Sequence, residues 1–366
     1  MTAFVESCVE TAAGSAVAAE RKARGHPTFR RLLRLLANKK NILVTAHQHP
    51  DPDALASSMA LCSLLGIHLP QANVTMSVKG EIGGGLNDAF VKHANLTLAP
   101  WDEAGLGKFD AILLLDTQPS FAYSPLPAGI EPLAVIDHHR TRGRKPRCGF
   151  RDIRPDVGAT SSIVFSYFME TETPIHSTLA ATLVYGIESD LAGAAGTPGE
   201  LDNIALSSLT LIADTRKLYQ MRHVDLPRSY YIAYYRGLAE AWWYENALVS
   251  HLGEIDSLEK PAVIADFLLR FDQVQWSLVT AVHDRRLIVS LRCGSSRHSA
   301  ADVMRRLMRK IGEGGGHRSK AGGMIVLETA SAAEIERKRT LLVRRYLRAL
   351  GIKQGKAQKL IPAQSD

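Results

Sequence analysis

The feature of this sequence that most constrains its fold is a set of short apolar runs that stop against acid or imidazole. Ile42-Leu43-Val44 leads into His47, Ala111 to Leu115 ends at Asp116, and Leu133 to Ile136 ends at Asp137. Runs without polar alternation read as strands buried on both faces, the pattern of a parallel sheet covered by helices. The intervening segments agree: Leu55, Met59, Cys62 and Leu65 share one helical face before Gly66, and helical spacing recurs over Thr160 to Met169, Thr178 to Ile187 and Leu201 to Ala213. Val74 to Val78 adds a strand, and Phe29, Leu32, Leu33 and Leu36 mark a leading helix between Thr28 and Lys40. The expectation is an α/β domain with a parallel sheet over about residues 25 to 225. Its polar strand ends should converge, because open parallel sheets bind ligands at the carboxyl ends of their strands.

With 366 residues, 46% of them apolar, the chain is long enough for a second domain. Pro227 to Leu248 is crowded with aromatic residues, and residues 226 to 259 read as a helical connector. Beyond it, a helix through Ile264, Phe267, Leu268 and Phe271, strands over Trp276 to Val282 and Leu287 to Cys293, and a glycine-rich turn predict a smaller α+β domain over about 260 to 350. Met304, Leu307, Met308 and Ile311 keep helical spacing and read as core, whereas the cations between Glu336 and Arg348 read as the wet face of a terminal helix.

Lys and Arg number 44 against 37 Asp and Glu, a net charge of +7 that favours anionic partners. The four cysteines, Cys8, Cys62, Cys148 and Cys293, have no CxxC spacing and suit a reducing cytoplasm. The first residues lack a basic start followed by an apolar core, and no apolar run approaches the roughly 18 to 20 residues of a membrane span. A cytoplasmic protein with neither export signal nor membrane partner is expected.

Four clusters carry candidate chemistry: His47-Gln48-His49-Pro50-Asp51-Pro52-Asp53, Asp116-Thr117, Asp137-His138-His139 and Glu188-Ser189-Asp190. Carboxylates with imidazoles and no thiolates favour hard or borderline cations such as manganese or magnesium. Any one cluster alone reads equally as a helix cap or a solvated turn.

Taken in order, the clusters resemble the motifs of the DHH phosphoesterase superfamily, which includes family II inorganic pyrophosphatases, RecJ-type exonucleases and the nanoRNase/phosphoadenosine-phosphate phosphatases. The namesake triplet is Asp137-His138-His139; His47, Pro50, Asp51 and Asp53 match the first motif, Asp116 the second and Asp190 the fourth. The resemblance implies two divalent ions, manganese before magnesium. One would be held by His47, Asp51 and Asp116, the other by Asp53, Asp116, His138 and Asp190. A shared Asp116 would keep them about 3.5 to 4 Å apart, the spacing that serves both the entering and the leaving oxygen of a phosphoryl transfer. His139 would face the scissile phosphate, and Asp137 would orient the neighbouring imidazoles. Three positions depart from the family's usual residues, His49, Ala56 and Leu191, and leave the implied ligands intact.

Gly314-Gly315-Gly316-His317, followed by Ala321-Gly322-Gly323, resembles the signature of the DHH-associated C-terminal domain. That implies a turn holding the substrate's terminal phosphate or nucleotide, with Arg292 as a clamp; by itself a triple glycine reads as a flexible turn. Arg140, Arg142, Arg144, Lys145, Arg147, Arg151 and Arg154 form a basic stretch, either a solvated loop or a guide for polyanions. The implied activity is release of nucleotides from very short oligonucleotides, with 3′-phosphoadenosine 5′-phosphate as a further substrate, in a cleft closed by the two domains. A RecJ-like exonuclease acting on single-stranded nucleic acid, a cyclic-dinucleotide phosphodiesterase, an inorganic pyrophosphatase and a nucleotide binder with little turnover are the alternatives. Monomer and homo-oligomer stay open.

Overall fold

The computed structural model describes residues 25–82, 84–141, 143–191, 198–295, 298–316, 318–352 and 357–362, with Gly14, Val17 and Ala18. Arg142 and His317 lie outside the described residues. The chain divides into two compact units, one drawn from residues up to Val224 and one from Asp225 onward.

The first unit begins with α1 (Phe29–Leu36), β1 (Asn41–Thr45), α2 (Pro52–His68), β2 (Asn73–Met76) and α3 (Gly84–Ala94). Then come β3 (Ala111–Leu115), β4 (Ala134–Asp137), β5 (Phe150–Ile153), α4 (Thr160–Thr171), α5 (Ser177–Leu191), α6 (Glu200–Ile212) and α7 (Thr215–Arg222). The five strands form one sheet in the order β2-β1-β3-β4-β5, and every pair is parallel. β3 and β4 are buried along their whole length, so each leucine of Ala111–Leu115 contributes about 1.5–3 kcal/mol of apolar burial. This order sets β1, β3 and β4 side by side. Neighbouring strands lie about 4.8 Å apart, so the residues after Thr45, Leu115 and Ile136 must emerge at one edge.

The helix expected to end at Gly66 continues to His68 and is buried on several sides, including Ala54, Ala56, Ser57, Ser58 and Leu61. Such a helix needs close neighbours. At Gly186 of α5, a Cβ would lie 2.8 Å from the Ala56 Cβ and 3.0 Å from the Ser161 Oγ, so α2, α4 and α5 meet where only glycine fits. Arg154 stands apart from the basic stretch to which its sequence position joins it. It is fully buried, with Nε and Nη2 donating to Asp152 at 2.9 and 2.7 Å, while the Tyr167 hydroxyl donates to the same carboxylate at 2.7 Å.

The second unit contains α8 (Arg228–Ala239), β6 (Trp242–Tyr244), β7 (Ala247–Glu254), α9 (Lys260–Leu268), β8 (Trp276–His283) and β9 (Arg286–Cys293). It continues with α10 (Ala300–Met308), β10 (Glu313–Gly316), β11 (Lys320–Val326), α11 (Ala332–Leu350) and β12 (Gln358–Lys359). Seven strands form a sheet in the order β10-β11-β9-β8-β7-β6-β12; β7 and β8 are parallel and the other pairs antiparallel. The stretch read from sequence as a helical connector is helical only over Arg228–Ala239; its later part supplies β6 and β7. The reason is a two-residue turn. Glu245 adopts φ 50° and Tyr244 pairs with Ala247, so Glu245-Asn246 reverses the chain between aromatic and β-branched residues that suit strands. No helix among the described residues is long and apolar enough to cross a membrane.

Candidate metal centre

Three strand ends and two helices deliver the acids and imidazoles. After β1 the chain carries His47 to Asp51, which N-caps α2 by accepting from the Ala54 N–H at 3.1 Å, and Pro52 then starts the helix with Asp53 in its first turn. After β3 comes Asp116 at φ 54°, a left-handed conformation uncommon for a non-glycine residue and costly enough to point to a functional constraint. β4 ends at Asp137, and Asp190 lies in the last turn of α5.

These residues assemble into three groups whose candidate ligand atoms lie within 4.8 Å of one another: His47, Asp51 and Asp116; Asp53, His138 and Asp190; and Asp116, His138 and His139. Asp116 takes part in two of them. Its Oδ2 is 3.6 Å from His47 Nε2 and its Oδ1 is 3.4 Å from His138 Nε2, so its two oxygens face different imidazoles. His138 Nε2 is also 3.2 Å from Asp190 Oδ2. Asp137 is in none of these groups. Its Oδ1 accepts from the His139 backbone N–H at 3.1 Å and meets His139 Nδ1 at 2.7 Å, while Gln118 Nε2 donates to its Oδ2 at 2.7 Å. Asp137 thus fixes the orientation of the His139 ring through Nδ1.

Electrostatics in the centre favour a cation. Burial pushes the Asp53 carboxyl well above the ordinary carboxylate range, and the nearby Asp116 and Asp190 push it further. Burial alone would lower His47, but Asp51, Asp116 and the Gln48 carbonyl outweigh it and raise the imidazole to about 9. His138 is raised against the same opposing burial by Asp116 and Asp190. Asp137 goes the other way: burial would raise it, yet His139, His138 and Gln118 hold it below the usual range. A buried set of oxygen and imidazole donors with mutually repelling carboxylates fits a hard or borderline divalent ion, and no cysteine belongs to any of the three groups.

The sequence reading missed the element that fixes this set. At the N-terminus of α4 the Thr160 and Ser161 N–H groups donate to the two oxygens of Asp53 at 2.7 and 2.9 Å, and the Thr160 hydroxyl donates to Asp116 Oδ1 at 2.8 Å. The preceding Val157 carbonyl is 3.3 Å from His138 Nδ1. One turn therefore touches three of the expected ligand residues. It is braced by Asp202, which accepts from the Gly158 N–H and the Ser162 hydroxyl, each at 2.6 Å. Thr160-Ser161-Ser162 before an apolar helical run is the one local signal that could have drawn attention to this turn.

The expected substrate contacts lie in the second unit. Arg292 on β9 is already paired, with Nε 2.6 Å and Nη2 3.1 Å from the carboxylate of Asp266, a partner not singled out from sequence. Gly314 to Gly316 form β10 against β11, and α10 packs on this hairpin: a Cβ at Gly314 would lie 2.8 Å from the Met308 Cγ, and one at Gly323 2.8 Å from the Met304 Sδ. Close approach of a helix thus accounts for two of these glycines.

Residues 41–187 match the family described as DHH family, N-terminal domain. The chain carries a DHH-family domain. Across 323 residues it is 27% identical to an uncharacterised protein of Methanocaldococcus jannaschii, covering 86% of this chain and 65% of that protein. Across 158 residues, 41% of this chain, it is 31% identical to a probable manganese-dependent inorganic pyrophosphatase of Lactococcus lactis and covers 48% of it. The chain thus spans between about half and two thirds of the length of these relatives. In fold it is similar to an exopolyphosphatase-related protein from Bacteroides fragilis, with a TM-score of 0.67 at 17% identity over 88% of this chain and 97% of that one. The DHH domain holds all three acid–imidazole groups except Asp190, which follows its last matched residue by three positions.

Proposed function

We propose that this chain is a divalent-cation-dependent phosphoesterase that hydrolyses short oligonucleotides. Manganese is the preferred ion and magnesium the alternative, two ions are held, and 3′-phosphoadenosine 5′-phosphate is a further substrate. The observation that carries the reading is Asp116, whose two oxygens face His47 and His138 from a costly left-handed backbone. His47, Asp51 and Asp116 would hold one ion, and Asp53, Asp116, His138 and Asp190 the other. Such ions polarise a phosphoryl group and stabilise its entering and leaving oxygens. The chain's own contribution is position and proton supply. Thr160 and Ser161 fix Asp53, Asp137 fixes His139, and His139 would be the side chain that faces the scissile phosphate.

The short-substrate assignment rests on the resemblance of Gly314 to Gly316 and His317 to a terminal-nucleotide turn, with Arg292 as the phosphate anchor. A second reading, inorganic pyrophosphatase, is favoured by the 31% identity over 158 residues to the Lactococcus lactis relative. One panel separates the two. Purified protein with manganese should release mononucleotides from a dinucleotide and from strands of about five nucleotides, and Asp116→Ala should abolish this. Turnover of pyrophosphate without oligonucleotide cleavage would select the second reading, and binding without turnover of any phosphate ester would reject both.

A further inference from the structure

The net charge of the chain is unevenly placed. Residues 225–366 carry 23 Lys and Arg against 15 Asp and Glu, a net of +8, whereas residues 1–224 carry 21 against 22. The excess therefore belongs to the second unit, not to the basic stretch after Asp137-His138-His139. Within that unit Arg306, Arg309, Lys310, Arg345, Arg348 and Ala349 line a concavity of about 500 Å³ that has no acidic residue in its wall.

Two helices build it. Arg345 on α11 donates through Nη1 to the Leu307 and Arg309 carbonyls at 2.6 and 2.9 Å, which clamps the end of α10 against α11 and leaves the guanidinium's charge in the wall. Arg306, Arg309, Lys310 and Arg348 are exposed, and among the described residues none is ion-paired with a carboxylate. On α11 the exposed Arg337, Arg344 and Arg348 follow at spacings of seven and four residues, which extends the cationic face along one side of the helix for about 16 Å.

From this we infer that the second unit bears a phosphate-backbone-binding surface for single-stranded nucleic acid, formed by the ends of α10 and α11 and continued along α11. Four unpaired cations and a 16 Å face exceed what a single phosphate needs, and they match a chain of phosphates. No aromatic side chain lines the concavity, so it would grip the backbone without reading bases. Its concave form and lack of exposed large apolar lining residues disfavour an anionic membrane, which rewards inserted apolar groups. The inference does not depend on the metal centre or on the proposed hydrolysis.

Anisotropy of a fluorescent mixed-sequence 20-nucleotide RNA, measured with the full chain in EDTA, tests it. Binding is expected at 50 mM salt, and Asp116→Ala should retain it. Four phosphate contacts predict a slope of log affinity against log salt of about −2.8. Arg306→Glu with Arg309→Glu should weaken binding at least tenfold and flatten the slope by about 1.4. Lys39→Glu with Lys40→Glu makes the same charge change in the first unit and should cost less than threefold. Three results would overturn the inference: no binding by the wild-type chain at low salt, equal losses in the two double variants, or stronger capture by phosphatidylserine vesicles than by RNA. Circular dichroism matching wild type would show that the substitutions leave the fold intact.

Discussion

In the first unit, Asp53 is buried beside Asp116 and Asp190, and burial together with those two carboxylates raises its proton affinity; in the second, Glu334 is buried among donors that lower its own. Arg292 resembles Glu334, because its guanidinium already faces the Asp266 carboxylate. Like charges buried side by side cost several kcal/mol unless something neutralises them, so the first arrangement implies a cationic ligand. A charge already matched by its neighbours implies no ligand, and any binding role it has must proceed by exchange.

The comparison breaks most directly at Asp116. Asp116→Ala should lower manganese-supported turnover by about a thousandfold or more and remove the tighter of the measurable metal-binding events, since no neighbour can supply a carboxylate to both imidazole groups. Isothermal titration with manganese and steady-state assay on the same preparation check this. Near-wild-type turnover would mean that Asp116 bridges nothing.

Thr160→Val sharpens it. The substitution keeps shape and the backbone bonds to Asp53 while removing the hydroxyl that reaches Asp116, so manganese affinity should fall about 10- to 100-fold and Thr160→Ser should restore most of it. A structural role alone would predict equal loss of thermal stability in both variants and no change in affinity.

Thr160 also marks where sequence reasoning stopped. The strand ends were readable because uninterrupted apolar runs such as Ala111 to Leu115 can only be buried strands, and the polar residue after each must appear at the sheet edge. The brace was not readable. Thr160 and Asp202 are 42 positions apart, and each reads locally as an ordinary first-turn residue. The second sheet was only partly legible, because aromatic density over Pro227 to Leu248 obscured the Glu245-Asn246 reversal. The pairing of Arg292 with Asp266 joins a strand to a helix 26 positions away and leaves no sequence signal at all.

If Arg292 binds substrate by exchange, Asp266 is its competitor. Asp266→Asn should then lower KM for a dinucleotide several-fold with little change in kcat, whereas Arg292→Ala should raise it. An unchanged KM in Asp266→Asn, measured at constant ionic strength, would leave Arg292 as a purely structural partner.

The smallest expected effect concerns Glu334, the counter-example to Asp53. Its carboxylate accepts from the Glu328, Thr329 and Ala330 N–H groups at 3.0, 2.8 and 3.1 Å and from the Thr329 hydroxyl at 2.8 Å. These donors favour the ionised form, which lowers the group from the ordinary 4.5 to about 2. A folded-state pKa below the unfolded one means that the unfolded chain binds more protons between those values, so Glu334 stabilises the fold fully above about pH 4.5. That contribution shrinks as pH falls through about 2, where both states are protonated. Glu334→Gln should therefore lower the unfolding temperature of the second unit at pH 7, and the gap from wild type should narrow between pH 4.5 and 2. A gap that stayed constant over that window would assign the loss to the shape of the α11 N-terminus. It would remove the contrast with Asp53, whose two backbone donors do not offset burial and its carboxylate neighbours.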